Sequence, residues 1–390
     1  MTMTKFLAAF LFTSALPLAS CSAQTVGDSA TADASDSAER PFAVTEHGSF
    51  DEPWAAAFAP GTSVLFVTEK VGTMKFIDVS TGKRGTVSGL PTVDYGGQGG
   101  LGDVAFLPGE SAPTVGQRTI YLTWAEAGPG DTRGAALGKG TLTCDKPESC
   151  HIDGLKVIWR QEPKVTGRGH YSHRIAIAPN GQTMFVASGE RQKGEPAQDP
   201  QSDLGKIVHL NLDGTPAAGN PLADENVARP EVWTLGHRNI LGLQFDASGQ
   251  LWDLEHGPAG GDELNRVVAG KNYGWPVVSN GDHYNGTPIP RHDTRPEFAA
   301  PAISWNPVIA PGDFIFYSGD LFPQWKGAAV IAAMKPAGLV VVQTEGGETA
   351  QEIARYPFDK RIREVVQGPD GAIWLLEDKA GGRLLELRPR

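Results

Sequence analysis

From residue 42 to the end, hydrophobic positions come in short runs, many alternating with polar ones, and each run is cut by a turn rich in Gly, Pro, Asp or Asn. Runs of this kind fit strands. No stretch sustains a long 3.6-residue apolar period, so helix is expected to be minor. The runs also repeat. An apolar pair, a Pro/Asp/Asn-Gly turn and a hydrophobic strand recur as AFAPGTSVLFVTE (57–69), AFLPGESAPTVGQRTIYLTWAE (105–126), AIAPNGQTMFVASGE (176–190), QFDASGQLWDLE (244–255) and QGPDGAIWLLED (367–378). A version with a longer turn, FIFYSGDLFPQWKGAAVIAAMK, spans 314–335. Units spaced by roughly 50 to 70 residues predict an all-β fold, a six-bladed β-propeller with four-stranded antiparallel blades. A sandwich or an eight-stranded barrel does not predict repeated copies of one turn-strand unit.

Five copies end in an acidic residue: Glu69, Glu126, Glu190, Glu255 and Glu377. If these were the innermost strands of a propeller, their ends would converge on one rim of the central channel. A charged residue that merely ends a strand at solvent is the alternative.

Composition sharpens the picture at two points. The 48 glycines and 29 prolines supply the many turns, while a 40% hydrophobic content leaves enough for a core. The net charge of -11 argues against nucleic acid, since no basic patch is available to displace phosphate counterions. At the N-terminus, Lys5 and the apolar run Phe6 to Ala15 read as an export signal too short to span a bilayer. Leu18-Ala19-Ser20-Cys21 matches a bacterial lipobox, which implies a lipid on Cys21 after cleavage; an ordinary cleaved signal peptide is the alternative. The expected organisation is a signal over 1–20, a flexible tether over 21–41 and a catalytic domain over 42–390. The expected location is the periplasm of a Gram-negative bacterium, anchored to the outer membrane. In an exported chain, Cys144 and Cys150 are predicted to form a disulfide; a metal site is the weaker alternative, since two thiols stand without nearby ligands.

Three constellations carry candidate chemistry. GRGHYSHRIAIAPNG places His170, Tyr171, His173 and Arg174 just before a repeat strand, with Glu190 at the end of the paired strand to hold and polarise an imidazole. A loop histidine so accompanied can act as a general base. Arg238, Lys335, Arg361 and Arg363 lie near the ends of different repeat elements, and Arg361 and Arg363 alternate onto one side. Such cations suit an anionic ligand with several carboxylates or phosphates, or else pair with the strand-end glutamates. EHGPAGGDELN (255–265) offers hard oxygen ligands suited to Ca²⁺, although a tight acidic turn without metal has the same composition. No G-x-S-x-G, P-loop, H-E-x-x-H or Rossmann turn is present.

Taken in order, PWAAAF, GGQGGLGDVAFLP, H-x-x-x-R, GHRN-x-x-G, EHGP-x-GGDE-x-N, NYGWP, FYSGDLFPQWKG and RIREVVQGPDG resemble the soluble quinoprotein sugar dehydrogenases of the glucose/sorbosone dehydrogenase family, in the aldose sugar dehydrogenase branch. The resemblance runs from about Pro53 to Leu387. It implies a propeller that binds pyrroloquinoline quinone (PQQ) and Ca²⁺ and oxidises aldoses at C1 to lactones, passing electrons to a periplasmic acceptor. It further implies His170 as catalytic base, Glu190 as the carboxylate that orients it, and Gln98 as a pocket residue near the substrate. Arg238 and Asn239 become cofactor contacts, with Arg238 placed to stabilise charge developing on the quinone, and Lys335, Arg361 and Arg363 hold its carboxylates. The carbonyls of Gly257 and Pro258 become Ca²⁺ ligands, and Glu263 with the Tyr273 carbonyl a second, structural Ca²⁺ site. Two positions depart from the pattern. Gly169 stands where some relatives carry an acid, and His173 fills a position that is often small. A Ca²⁺-dependent propeller lactonase is the rival enzyme, and a cofactor-free propeller that binds glycans or protein is the non-enzymatic rival. The lactonase has no need for the cations at 335, 361 and 363, and an intact His170 with all four cations argues against the binding module.

Overall fold

Strand follows strand along the chain, as the alternating pattern requires, and among the described residues the only helical pieces are short 3₁₀ turns such as Pro323–Trp325. The computed structural model describes residues 40–223, 228–345 and 347–390, with backbone alone at 345. The export signal, Cys21 and nearly all of the tether lie outside those residues.

In chain order the strands are β1 (Phe42–Phe50), β2 (Pro53–Phe58), β3 (Val64–Glu69), β4 (Thr73–Asp78), β5 (Arg84–Ser88) and β6 (Leu101–Phe106). Next come β7 (Gln117–Ala127), β8 (Arg133–Lys146), β9 (Ser149–Arg160), β10 (Ser172–Ile177), β11 (Thr183–Ser188) and β12 (Lys206–Asn211). They continue with β13 (Val232–Leu235), β14 (Ile240–Phe245), β15 (Leu251–Glu255), β16 (Asp262–Arg266), β17 (Ile303–Trp305) and β18 (Pro311–Phe316). The last are β19 (Ala329–Met334), β20 (Ala337–Glu345), β21 (Thr349–Pro357), β22 (Ile362–Gln367), β23 (Ile373–Glu377) and β24 (Gly382–Pro389). Three sheets are four-stranded antiparallel meanders: β10 to β13, β14 to β17, and β18 to β21. A fourth joins the two ends of the chain in the order β1-β24-β23-β22. The remaining sheet has eight strands, because β5 and β9 pair in parallel through Thr86–Ser149, Val87–Cys150 and Ser88–His151. The architecture is all-β and propeller-like.

Each repeat seen in the sequence is a hairpin: β2–β3, β6–β7, β10–β11, β14–β15, β18–β19 and β22–β23. The first strand of each hairpin packs beside the first strand of the next, and β22 packs back on β2, so these six inner strands form a ring. Close approach in the ring depends on missing side chains. A Cβ on Gly312 of β18 would sit 2.3 Å from the Arg363 carbonyl, and one on Gly242 of β14 would sit 2.4 Å from the Phe314 ring. Between sheets the alternating apolar positions interlock; Phe42, Trp325, Leu339, Val341, Ile373 and Leu375 share one such layer. Each fully buried side chain of this size contributes about 1.5–3 kcal/mol.

All six inner strands begin at one end of the ring, called the upper end here. The five strand-end glutamates do lie at that end, but on the second strand of each hairpin or just beyond it. They therefore do not line the channel together. Glu69 pairs with Lys75, Glu126 with Arg160 and Lys164, and Glu377 with Lys360 and Arg383. Only Glu190 and Glu255 turn toward the candidate site. Cys144 and Cys150 form the disulfide, across the β8–β9 turn at the lower end.

Candidate active site

The upper loops enclose a cleft of about 310 Å³ over the ring axis. Its walls include Glu52, Trp54, Gln98, Asn239, Arg361 and Arg363, with His173 in its floor. Backbone strain collects here. Among the described residues eight non-glycines have a positive φ; Glu52, Ser172, His173 and Lys379 line the cleft, and His170, Arg191 and Gln192 flank it. Residues held in this sparsely populated region cost roughly 1–3 kcal/mol each and persist where the surroundings over-determine them.

His170 follows the Gly167–Gly169 turn and lies buried at the cleft edge. Its Nδ1 is hydrogen-bonded to Glu190 Oε1, and its backbone N–H donates to Gln98 Oε1 at 2.7 Å. Burial would raise the Glu190 carboxyl, but the hydrogen bonds from His170 and the Gly194 N–H, together with Arg238, hold it below the usual value. An ionised Glu190 can only accept, so Nδ1 carries the proton and Nε2 keeps its lone pair. Burial also pushes the imidazole below its ordinary pKa, against the Glu190 hydrogen bond; Arg238 and Arg191 push it further down. The result is a neutral imidazole in a fixed orientation.

Arg361 and Arg363 share one counter-ion. Both Nε atoms donate to Asp378, at 2.7 and 3.0 Å, so the pair does face one way as the alternation required. Lys335 follows Met334 of the cleft wall, but its own side chain is exposed and is not part of that wall. Arg238 donates from its backbone to Glu255 Oε2 at 2.7 Å and from its guanidinium to the His256 carbonyl at 3.3 Å and the Tyr284 hydroxyl at 3.2 Å. Its Nε is buried with no hydrogen-bond partner. That orphan donor, beside a cleft walled by two further guanidinium groups, fits an anionic planar cofactor.

Gly257 lines a small adjoining cavity with Glu255, Glu263 and Tyr273, and Pro258 follows it in the chain. Around this cavity the acids outnumber the cations. Asp253 and Glu263 are raised well above the usual carboxylate range, first by burial and then by Glu255. His237, Asp253 and Glu255 also bring three possible ligand atoms within 4.8 Å of one another. Such a donor set fits a divalent cation. The Tyr273 carbonyl accepts from His292 at 3.2 Å.

Arg174 does not join His170. It is buried in the channel below Trp54, 4.3 Å from that ring, and donates to the Leu241 and Gly312 carbonyls and to Glu364 at 2.7 Å. Asp103 and Asp313 complete a cluster that separates the upper cleft from a second cavity of about 510 Å³ at the lower end.

With this geometry in hand, comparison with known proteins is decisive. Residues 50–386 match the Glucose / Sorbosone dehydrogenase family. The chain belongs to that family. The dehydrogenase family includes a relative from Escherichia coli (strain K12), Aldose sugar dehydrogenase YliI, 35% identical over 87% of this chain and 91% of its own length. A crystal structure of glucose dehydrogenase superposes with a TM-score of 0.81 at 36% identity, covering 88% of this chain and 99% of that one. The PQQ-bound form of Aldose Sugar Dehydrogenase from Streptomyces coelicolor shares the fold at TM-score 0.71 and 24% identity, over 90% and 98% of the two chains.

Three residues of this dehydrogenase-family site were not anticipated. Asp378 follows the strand-end Glu377 by one place, and the strand period sends the two to opposite sides. Tyr284 reaches Arg238 from a polar loop with no local signal. Arg191 directly follows Glu190, and that adjacency was the available clue.

Proposed function

We propose that this chain oxidises aldose sugars at C1 to lactones, with PQQ as resident electron acceptor and Ca²⁺ as its partner. The observation that carries the reading is the His170–Glu190 pair, a buried neutral imidazole with a free Nε2, set beside a cleft walled by Arg361 and Arg363. The names of the E. coli and Streptomyces relatives support the substrate class and the cofactor. We read the eight-stranded sheet as two four-stranded blades joined at their edges, which makes six blades in all.

In this reading His170 Nε2 takes the proton of the C1 hydroxyl while Glu190 holds Nδ1–H. PQQ, when bound, supplies the acceptor for the hydride leaving C1, and Ca²⁺ supplies the Lewis acid that polarises it. Arg238, Asn239, Arg361 and Arg363 would hold the cofactor, Arg238 through its orphan Nε, whereas the exposed Lys335 lies outside the cleft wall. The Gly257 and Pro258 carbonyls would hold its Ca²⁺, and Glu263 with the Tyr273 carbonyl a second one, offsetting the surplus of buried acid. Gln98, whose Oε1 is committed to His170, keeps its amide N–H groups for the sugar.

The lipobox at Cys21 supports a periplasmic chain on a lipid anchor, with a tether over 21–41 and the catalytic domain over 42–390. A disulfide suits that oxidising compartment. An acceptor in the periplasm would take the electrons.

Purified apo-protein is expected to bind PQQ stoichiometrically with Ca²⁺ and then to reduce a dye when aldoses are added. No PQQ binding at micromolar concentration sinks the reading. His170→Ala is expected to lose about 10²–10⁴-fold in kcat with PQQ still bound. Near-normal turnover in that variant removes His170 from the base role.

A further inference from the structure

Arg191 is entirely buried, yet among the described residues it makes no ion pair. Each nitrogen of its guanidinium donates to a backbone carbonyl instead: Nε to Gly169 at 2.8 Å, Nη1 to Arg133 at 2.7 Å and Nη2 to Gly167 at 2.6 Å. The face of the group lies on Tyr171, with Cζ 3.6 Å from the ring centroid. Gly167 and Gly169 lead into His170, and Tyr171 follows it. One side chain therefore grips the chain on both sides of the base. The backbone closes the same loop, since Arg191 N–H donates to the His170 carbonyl at 3.2 Å.

Burying a cation without a hydrogen-bonded carboxylate is costly, and a hydrophobic residue of similar volume would avoid that cost. Burial does depress the guanidinium, to about 10, but it stays charged at neutral pH. The segment it grips and the two residues after it are strained, with φ of 48° at His170, 65° at Ser172 and 79° at His173; Arg191 itself sits at 60°. Carbonyls spread around a planar fork are a task for arginine, because a lysine ammonium is a point donor on a flexible stem.

We propose that Arg191 is the positioning residue of the base: it locks residues 167–171 in the strained conformation that presents His170 to Glu190 and to the cleft. Its effect is exerted through His170, so it touches neither sugar nor cofactor.

The proposal rests on the sugar-oxidising reading for its kinetic test, and an NMR test is independent of that reading. Arg191→Lys keeps the charge and loses the fork. In holoenzyme its kcat is expected to fall about 10²-fold, the scale of an ångström-sized misplacement. The sugar KM, the PQQ affinity and the melting temperature are expected to stay near wild type. A folded variant with wild-type kcat overturns the proposal, as does a parallel loss of kcat, PQQ affinity and thermal stability. In ¹⁵N-histidine-labelled apo-protein, the imidazole N–H signal that Glu190→Gln abolishes is expected to shift or vanish in Arg191→Lys; an unchanged signal overturns the proposal whatever the enzyme's substrate. Should Arg191→Lys fail to fold, Tyr171→Leu removes the platform under the guanidinium, along with the stacking on His173, and is expected to disturb the same signal. Wild-type protein that binds no PQQ counts against the sugar-oxidising reading and leaves the NMR outcome to judge Arg191.

Discussion

His170 shows how burial and hydrogen bonding divide the work within one side chain. Desolvation keeps the ring neutral, and Glu190 decides which nitrogen carries the proton. A base must be unprotonated, and here the folded pKa lies below the ordinary histidine value of about 6.5. The acid limb of kcat/KM should therefore fall below that pH, and activity should hold through pH 7. Glu190→Gln removes the group that raises the imidazole, so its limb should move still lower while kcat drops with the loss of orientation. A pH profile of the two proteins checks both statements, and a limb at or above pH 7 in wild type contradicts them. The histidine was legible from its neighbours in the sequence. Arg191 was not, because a side chain that binds only backbone carbonyls leaves no pattern of complementary residue types.

Among the elements, the hairpin is the repeating unit, and its turn chemistry made it readable. What could not be read was which strand of the hairpin faces the channel. Glu69, Glu126 and Glu377 end second strands and are neutralised locally, whereas the inner strands begin with residues as dissimilar as Pro53, Leu101 and Ser172. The edge pairing of β5 with β9 was equally hidden, since parallel pairing of two distant edges has no local signal. The Cys144–Cys150 bridge closes the turn next to that pairing, at the end of the strands away from His170. Replacing both cysteines by serine should lower stability by about 2 kcal/mol, the entropy expected for so short a loop, with kcat unchanged. A loss of turnover without a loss of stability in that variant would connect the lower end to the chemistry.

For the whole molecule, the ring was foreshadowed by repeats and confined to strands by glycine and proline, but its closure depends on residues far apart. β1 completes the sheet of β22 to β24, so Phe42 packs among side chains from the last third of the chain. The site draws on the same closure. Its proposed base comes from the loop before β10, its guanidinium wall from the start of β22 and the residue before it, and its orphan donor from the loop before β14. A channel runs beneath them, and Arg174 with Asp103, Asp313 and Glu364 blocks it. Burial raises Glu364 to about 7 against the pull of Arg174, and Asp103 and Asp313 add two more carboxyls to the plug. A blocked channel leaves one doorway. In the proposed reaction sugar, lactone and electron acceptor would share the upper mouth, and the acceptor would not arrive from below while a sugar is bound. Initial rates measured against sugar at several fixed acceptor concentrations should then give parallel reciprocal lines; converging lines would mean that both visitors can be inside at once.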